Sequence, residues 1–297
     1  MLRIGENLNV MVKTIGAAMK AKDPGPIRKL AEEEAEKGID WIDINLGPAR
    51  KGGPELMEWV VKTVQEVAPD IPLALDTSNV EAVEAGLKVH KGKAIINSIM
   101  ARPERMEAML PLVKKYDAAF IALLWGPPGM PRDENERSEN AVTLITAALE
   151  AGIPPEDIYI DPIVTPVNTQ QDQVKSLVEF MKMLPDIVET MAPGVRSTCG
   201  LSNVSNGSPN QLRPILNQTY LTIIEKYGMY SAIVDAFDDE IAVFCRGEKS
   251  EIKKIINDVC DGNDPDPSSL SKVGLDYMKT AKVLLGHSLY SDSWLEI

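Results

Sequence analysis

Seven short stretches of this chain carry side chains suited to holding a flat, nitrogen-rich molecule. They are Glu6-Asn7, Asp43 to Asn45, Asp76 to Asn79, Asn97-Ser98, Asp161-Pro162, Ser202-Asn203 and Asp235, and each stands at or beside the end of an apolar run. Carboxylates accept hydrogen bonds from ring N–H and amino groups, while amides offer a donor and an acceptor side by side. Arranged around an apolar funnel, such groups make a hydrogen-bonding mould. Each also has a plain structural explanation. Asn79 reads better as a helix N-cap than as a ligand. For Asp43 and Asp235 a loop-capping role is an equal alternative, for Asp161 before its proline a turn-forming role is the lesser one, and for Glu6 a structural charge is the alternative. Capping alone, however, does not place carboxylates and amides inside the runs as well as after them.

The parts that are missing narrow the chemistry. No GxxxxGK[ST] segment and no GxGxxG after the first run is present, which argues against nucleoside triphosphates and dinucleotides. GPPGMP at 126–131 is stiffened by prolines and lacks a following lysine, so it reads as a loop. His90 and His287 are the two histidines, in a helix-to-strand connection and a C-terminal helix, and both read as surface residues rather than bases. Cys199, Cys245 and Cys260 are odd in number with no CxxC, against a disulfide framework or a zinc knuckle. Cys199 reads as a small core filler. The site is therefore expected to hold no metal and no paired nucleophile and base.

Eight segments must position these residues: Arg3–Asn9, Asp40–Leu46, Pro72–Thr77, Ala94–Ser98, Ala118–Leu124, Asp157–Ile163, Ser197–Val204 and Ser231–Phe237. They are nearly continuous in Ile, Val, Leu and Ala, as expected of strands covered on both faces. Helical punctuation lies between them. Asp23-Pro24 opens a helix that Gly38 closes, Pro103 opens another, and Gly152 follows NAVTLITAALEA. Eight strand–helix units predict a (β/α)8 TIM barrel in the α/β class, with a doubly wound open sheet as the alternative. The expected organisation is one domain over 1–297, with a polar surface insertion at 246–272 before the C-terminal helix. The formal net charge of -13 disfavours nucleic acid. No run is long enough to cross a bilayer, and Glu6 interrupts any signal-peptide core, so a cytoplasmic protein is expected.

IDINLGP (42–48), LALDTSN (73–79), AIINS (94–98), IYIDP (158–162) and GLSNVS (200–205) resemble, in order and spacing, the pterin-binding methyltransferases. The likeness is to the methyltetrahydrofolate:corrinoid/iron–sulfur-protein methyltransferase family within the dihydropteroate-synthase-like superfamily. It spans residues 1 to about 244 and resumes at LLGHSLYSDSW. The resemblance implies a methyltransferase that moves the N5-methyl group between methyltetrahydrofolate and the cobalt of a cobalamin supplied by a partner corrinoid protein. It implies that Asp76, Asn97 and Asp161 hydrogen-bond the pterin ring and that the amide of Asn203 approaches N5. Glu6, Asn7, Asp43 and Ser202 match rim positions, and Arg213 a position near the benzoyl-glutamate carboxylate. A homodimer is expected on the same ground. Two departures stand out: the longer segment Arg246–Lys272, and apolar Ile99-Met100 after AIINS. They point also to a branch carrying methyl groups from methylamines, betaines or aryl ethers through a corrinoid protein onto tetrahydrofolate. Dihydropteroate synthesis is the weaker enzyme alternative, because NVSNGSPN has no Lys or Arg before Arg213. A pterin-binding scaffold subunit is the non-enzyme one.

Overall fold

The structure, a computed structural model, describes residues 1–296; Ile297, the last residue of the expected domain, lies outside them. Its strands are β1 (Leu2–Gly5), β2 (Trp41–Gly47), β3 (Leu73–Thr77), β4 (Ile95–Met100), β5 (Ala119–Leu123), β6 (Ile158–Asp161), β7 (Arg196–Ser197) and β8 (Ser231–Val234). Each pairs in parallel with its neighbour in sequence from β1 to β7, and β1 pairs with β8. Between β7 and β8 the ring is closed by a bridge from Gly200 to Ile233, whose N–H donates to the Cys199 carbonyl at 2.8 Å. The sheet is thus a (β/α)8 barrel, the fold expected from the alternation of segments.

Helices α1 (Lys13–Ala21) and α2 (Pro24–Glu36) join β1 to β2, and α3 (Gly53–Gln65), α4 (Val80–Val89), α5 (Pro103–Lys115) and α6 (Glu134–Glu150) follow their strands in turn. Then come α7 (Val167–Met191), α8 (Arg213–Lys226) and, after β8, α9 (Asp239–Cys245), α10 (Ser250–Cys260) and α11 (Lys272–Leu284). The punctuation works as the sequence implies. Asp23 accepts from the Gly25 N–H with Pro24 at the first helical position, Asn79 caps α4 through the Ala82 N–H, and Gly38 takes a left-handed φ of 67° after α2. Within 246–272, α10 packs on α8 and α11 with Ile256 and Val259 buried. No helix among the described residues is long and apolar enough to cross a membrane.

Three expectations shift in detail. The first strand stops at Gly5 rather than Asn9: the Glu6 N–H still donates to the Val234 carbonyl, Asn7 turns to the β8 loop, and pairing with β2 resumes only as a bridge from Asn9 to Asn45. The seventh pairs with β6 only through Arg196–Ser197 and meets β8 by the single bridge at Gly200, and Leu201–Ser205 winds into a 3-10 turn instead of continuing as strand. Its Ser and Asn side chains bond locally, Ser205 to the Ser202 carbonyl and Asn206 to Asn203, and so compete with the ladder. His90 is half-buried rather than a free surface residue: its Nε2 accepts from the Leu73 N–H at 3.2 Å and anchors the start of β3. Burial lowers its pKa, which suits that acceptor role.

Packing divides the barrel into two cores. The larger lies between strands and helices. The smaller fills the barrel's interior with Ile4, Ala74, Ile95, Ala119, Ile121 and Tyr159, against which Trp41 and Ile233 pack. Strand side chains alternate with period two, so the residue two places on points the same way, one layer nearer the carboxyl end. Those residues are Glu6, Asp43, Asp76, Asn97, Asp161 and Asp235, with the apolar Leu123 at the matching place on β5. An apolar plug below and a polar layer above are consequences of one alternation.

Candidate functional site

The register sets the top layer. Asn45, Asp76 and Asn97 lie opposite one another across β2, β3 and β4. The Asn45 amide donates to Asp76 Oδ2, and Asp43 accepts from Asn97 Nδ2 at 2.9 Å. An extra residue in β4 between Ile96 and Ile99 makes a bulge at Asn97-Ser98, a common way to re-aim a side chain at a barrel rim. On β6, Asp161 Oδ1 accepts from the Ile163 N–H at 2.8 Å. Ile163 has φ 68°, costly for a β-branched residue, and this hydrogen bond helps hold it there.

A second group closes the mouth between β1 and β8. Ser202 donates to Glu6 Oε2 at 3.1 Å, joining the end of β1 to the turn after β7. Asn7 Nδ2 donates to Asp235 Oδ1 at 2.8 Å, and Asn7 Oδ1 accepts from the Ala236 N–H at 2.9 Å. The Asn7 N–H itself donates to Glu34 Oε1 at 3.1 Å, from α2 beneath.

Electrostatics follow from burying so many acids together. Burial lifts Glu6 to about 7; the Ser202 hydroxyl opposes this, Asp235 adds to it and Arg213 offsets part. Burial likewise lifts Asp76 to about 7. Asp161 rises to about 6, again by burial, against the Ile163 N–H and the Arg137 charge. Asp43 is pushed well above the usual carboxylate range by burial and then by Asp76 beside it. At neutral pH the layer therefore carries both acid and carboxylate forms. Together with the amides it can donate to and accept from a planar heterocycle.

The remaining candidates sit on the turn after β7. Asn203 is exposed, with Oδ1 accepting from Asn206 Nδ2 at 3.1 Å and Nδ2 close against Gly200. Arg213 opens α8 and donates to Ser205 Oγ at 3.2 Å and to Asn206 Oδ1 at 3.4 Å. The structure thus pairs Asp43 with Asn97, sets Asp76, held by Asn45, close enough to act on Asp43 by charge, and pairs Glu6 with Ser202. The Asp161 side chain bonds only its own loop among the described residues. Asn203, exposed on its turn, and Arg213, half-buried at the start of α8, are hydrogen-bonded to none of the strand-end acids among the described residues, though the Arg213 charge acts on Glu6.

Two functional neighbours escape a reading of strand ends. Arg137, fully buried on α6, donates to the Pro162 carbonyl at 2.9 Å, to Ser176 Oγ at 3.0 Å and to Gln173 Oε1 at 2.9 Å. It fixes the Asp161-Pro162 corner from behind. Replacing Arg137 by Met is expected to leave those acceptors unpaired and to cost about 3 kcal/mol. A thermal melt should show the midpoint lower by roughly 6–12 °C; an unchanged melt would remove Arg137 from this role. Glu34 is the second, hidden in AEEEAE, which looks like a solvated helix face. The signal was its phase: Ile27, Ala31 and Glu34 fall at i, i+4 and i+7 on the buried face of α2.

The strand ends thus converge on a polar layer over an apolar plug, the arrangement expected of a site for a planar, nitrogen-rich ring. Comparison with known proteins agrees. A family model described as pterin binding enzyme matches residues 5–235, and the chain belongs to that family. The chain is 30% identical over 237 residues to the methylcorrinoid:tetrahydrofolate methyltransferase of Eubacterium limosum, covering 79% of this chain and 85% of that one. It is 28% identical over 243 residues to the methionine synthase of Mycobacterium leprae, covering 79% of this chain but 20% of that much longer protein. The enzyme class that these relatives share with the chain is methyltransferase. Among solved structures, a Yersinia pestis dihydropteroate synthase superposes with TM-score 0.60 at 19% identity, over 84% of this chain and 92% of that one. A Thermus thermophilus dihydropteroate synthase superposes with TM-score 0.57 at 19% identity, over 82% of this chain and 94% of that one. At that identity the likeness is one of fold.

Proposed function

We propose that this chain transfers a methyl group between N5 of a tetrahydrofolate and the cobalt of a corrinoid carried by a separate protein. The observation that carries the proposal is the polar layer of Asp76, Asn97 and Asp161 over the apolar plug, in a chain with a methylcorrinoid:tetrahydrofolate methyltransferase among its relatives. Asp76, Asn97 and Asp161 hold the pterin ring by its N–H, amino and carbonyl groups. Glu6, Asn7, Asp43 and Ser202 shape the rim, and Arg213 meets a carboxylate of the glutamate tail.

N5 of the methylated folate is a poor leaving group unless it takes a proton from solvent as the C–N bond breaks and that bond's electron pair stays on nitrogen. The Asn203 amide oxygen accepts from that N–H and stabilises charge where it develops. Its present partner, Asn206, is a neutral amide at an exposed site, so exchanging it for the substrate costs little. The cobalt of the partner's corrinoid supplies the nucleophile in one direction and the methyl group in the other. The barrel binds, orients and activates the folate and leaves its mouth open to the second protein. The Eubacterium limosum relative's name supports running from methylcorrinoid to tetrahydrofolate.

The test is spectroscopic. Methyltetrahydrofolate with reduced cobalamin should give methylcobalamin in the presence of the protein, and methylcobalamin with tetrahydrofolate should run the reverse. Tight folate binding with turnover in neither direction, even with a corrinoid protein added, would make the chain a pterin-binding scaffold.

A further inference from the structure

Beneath the β1–β8 corner lies a carboxyl group that the proposed chemistry does not use. Glu34 is fully buried in α2. Its Oε1 accepts the Asn7 N–H at 3.1 Å, and its Oε2 has no hydrogen-bond partner among the described residues. The carboxyl group packs flat against the main chain of β1: a Cβ on Gly5 would stand 3.0 Å from Oε2 and 2.9 Å from Ile39 Cδ1. The absence of a side chain at position 5 is what admits the acid.

The charges around Glu34 are of one sign. Asp235, at the end of β8, and Glu6, at the end of β1, both disfavour its ionised form, and Glu34 in turn bears on Asp43 of β2. No cationic side chain pairs with it among the described residues. A buried, unpaired carboxylate ringed by acids costs several kcal/mol, whereas the neutral acid costs far less. Burial and these neighbours, opposed by the Asn7 N–H, lift Glu34 to about 8.

We propose that Glu34 is a positioning residue that works as an uncharged acid, fixing Asn7, and through it Asp235 and Ala236, as the wall of the folate site. The chain of contacts is continuous. Glu34 holds the Asn7 main chain, the Asn7 amide holds Asp235 Oδ1 and the Ala236 N–H, and Asp235 also accepts from the Phe237 N–H at 3.0 Å. One acid thereby ties the end of β1 to the loop after β8. Ionisation would add a charge under Glu6, Asp43 and Asp235 and loosen that corner. The placement of folate against this wall rests on the function proposed above; the protonation state of Glu34 does not.

Two variants of the full chain test this. In the unfolded chain Glu34 ionises near 4.5 and in the folded one near 8, so the stability it lends is complete below the lower value and is lost as pH rises through the upper one. Glu34→Gln keeps the acceptor and the shape and cannot ionise. Its thermal midpoint relative to the native chain should therefore climb from about pH 5 and level off above about pH 8. With methyltetrahydrofolate as probe, Glu34→Gln should bind within about twofold of native at pH 6.5 and several-fold tighter than native at pH 9. Glu34→Leu, which removes the acceptor from the Asn7 N–H, should bind roughly tenfold more weakly at pH 6.5. A merely space-filling Glu34 would leave the Leu variant's binding intact. Parallel melting curves for the Gln variant and the native chain across this range overturn the uncharged acid. If the Leu variant does not fold, the Gln comparisons decide alone. Failure of the native chain to bind folate overturns the placement of the wall and the function beneath it, while the melting curves still report on the acid.

Discussion

Asn203→Ala is expected to slow methyl transfer by about 10²–10³-fold while weakening folate binding by less than about tenfold. The asymmetry follows from where charge appears. In the ground state N5 is a neutral amine and gains little from an amide oxygen. In the transition state it acquires a proton's charge as the methyl leaves, and an amide oxygen aimed at it then contributes most. The site makes this a clean experiment. Asn203 is exposed on a 3-10 turn and its one side-chain hydrogen bond among the described residues, to Asn206, is local, so the fold does not depend on it. Single-turnover rates with cobalamin, measured beside folate dissociation constants, separate the two effects. Equal and small losses in both would assign Asn203 to the rim only.

Asp161→Asn should weaken folate binding by about 10–100-fold, since a hydrogen bond to a charged group is worth about 1.5–3 kcal/mol. The amide can still accept from the Ile163 N–H, so the backbone at Ile163 is supported and the loss reports on the ligand. A pH series adds a second reading. Asp161 ionises near 6 in the free protein, and a ring N–H is held best by the carboxylate. Native affinity should then fall as pH drops through about 6, and the Asn variant should lack that component of the slope. Affinity equal to native at pH 8 would show that the Asp161 carboxylate does not meet the ring.

Much of the site was legible because the alternation of a strand survives in the residues themselves. Ile4 before Glu6, Trp41 before Asp43, Ala74 before Asp76, Ile95 before Asn97 and Tyr159 before Asp161 are pairs two residues apart. In each, the first plugs the barrel and the second tops it. Cys199 fills the core as its isolation implies, and Asn79 is the helix cap that its position before α4 suggests. Three features were not legible. The turn at Leu201–Ser205 looked like strand because Leu201 and Val204 are buried like strand residues, yet they are buried by a 3-10 turn. His90 gave no sign of its partner, the Leu73 N–H, seventeen residues away. Arg137 and Glu34 lie on helices, and a charged residue on a helix faces water unless packing turns it inward.

Sequence by itself determined the eight-fold repetition, the chain positions of the strand-end acids and amides, and the lack of histidine near them. Those are local properties, written in apolar runs, caps and residue types. Tertiary structure alone decided which of these groups meet. Register set Asn45, Asp76 and Asn97 side by side, barrel closure brought Ser202 to Glu6 and Asn7 to Asp235, and α2 carried Glu34 beneath them. Ionisation behaviour arose only then, because desolvation and like-charge repulsion depend on distances between segments far apart in the chain.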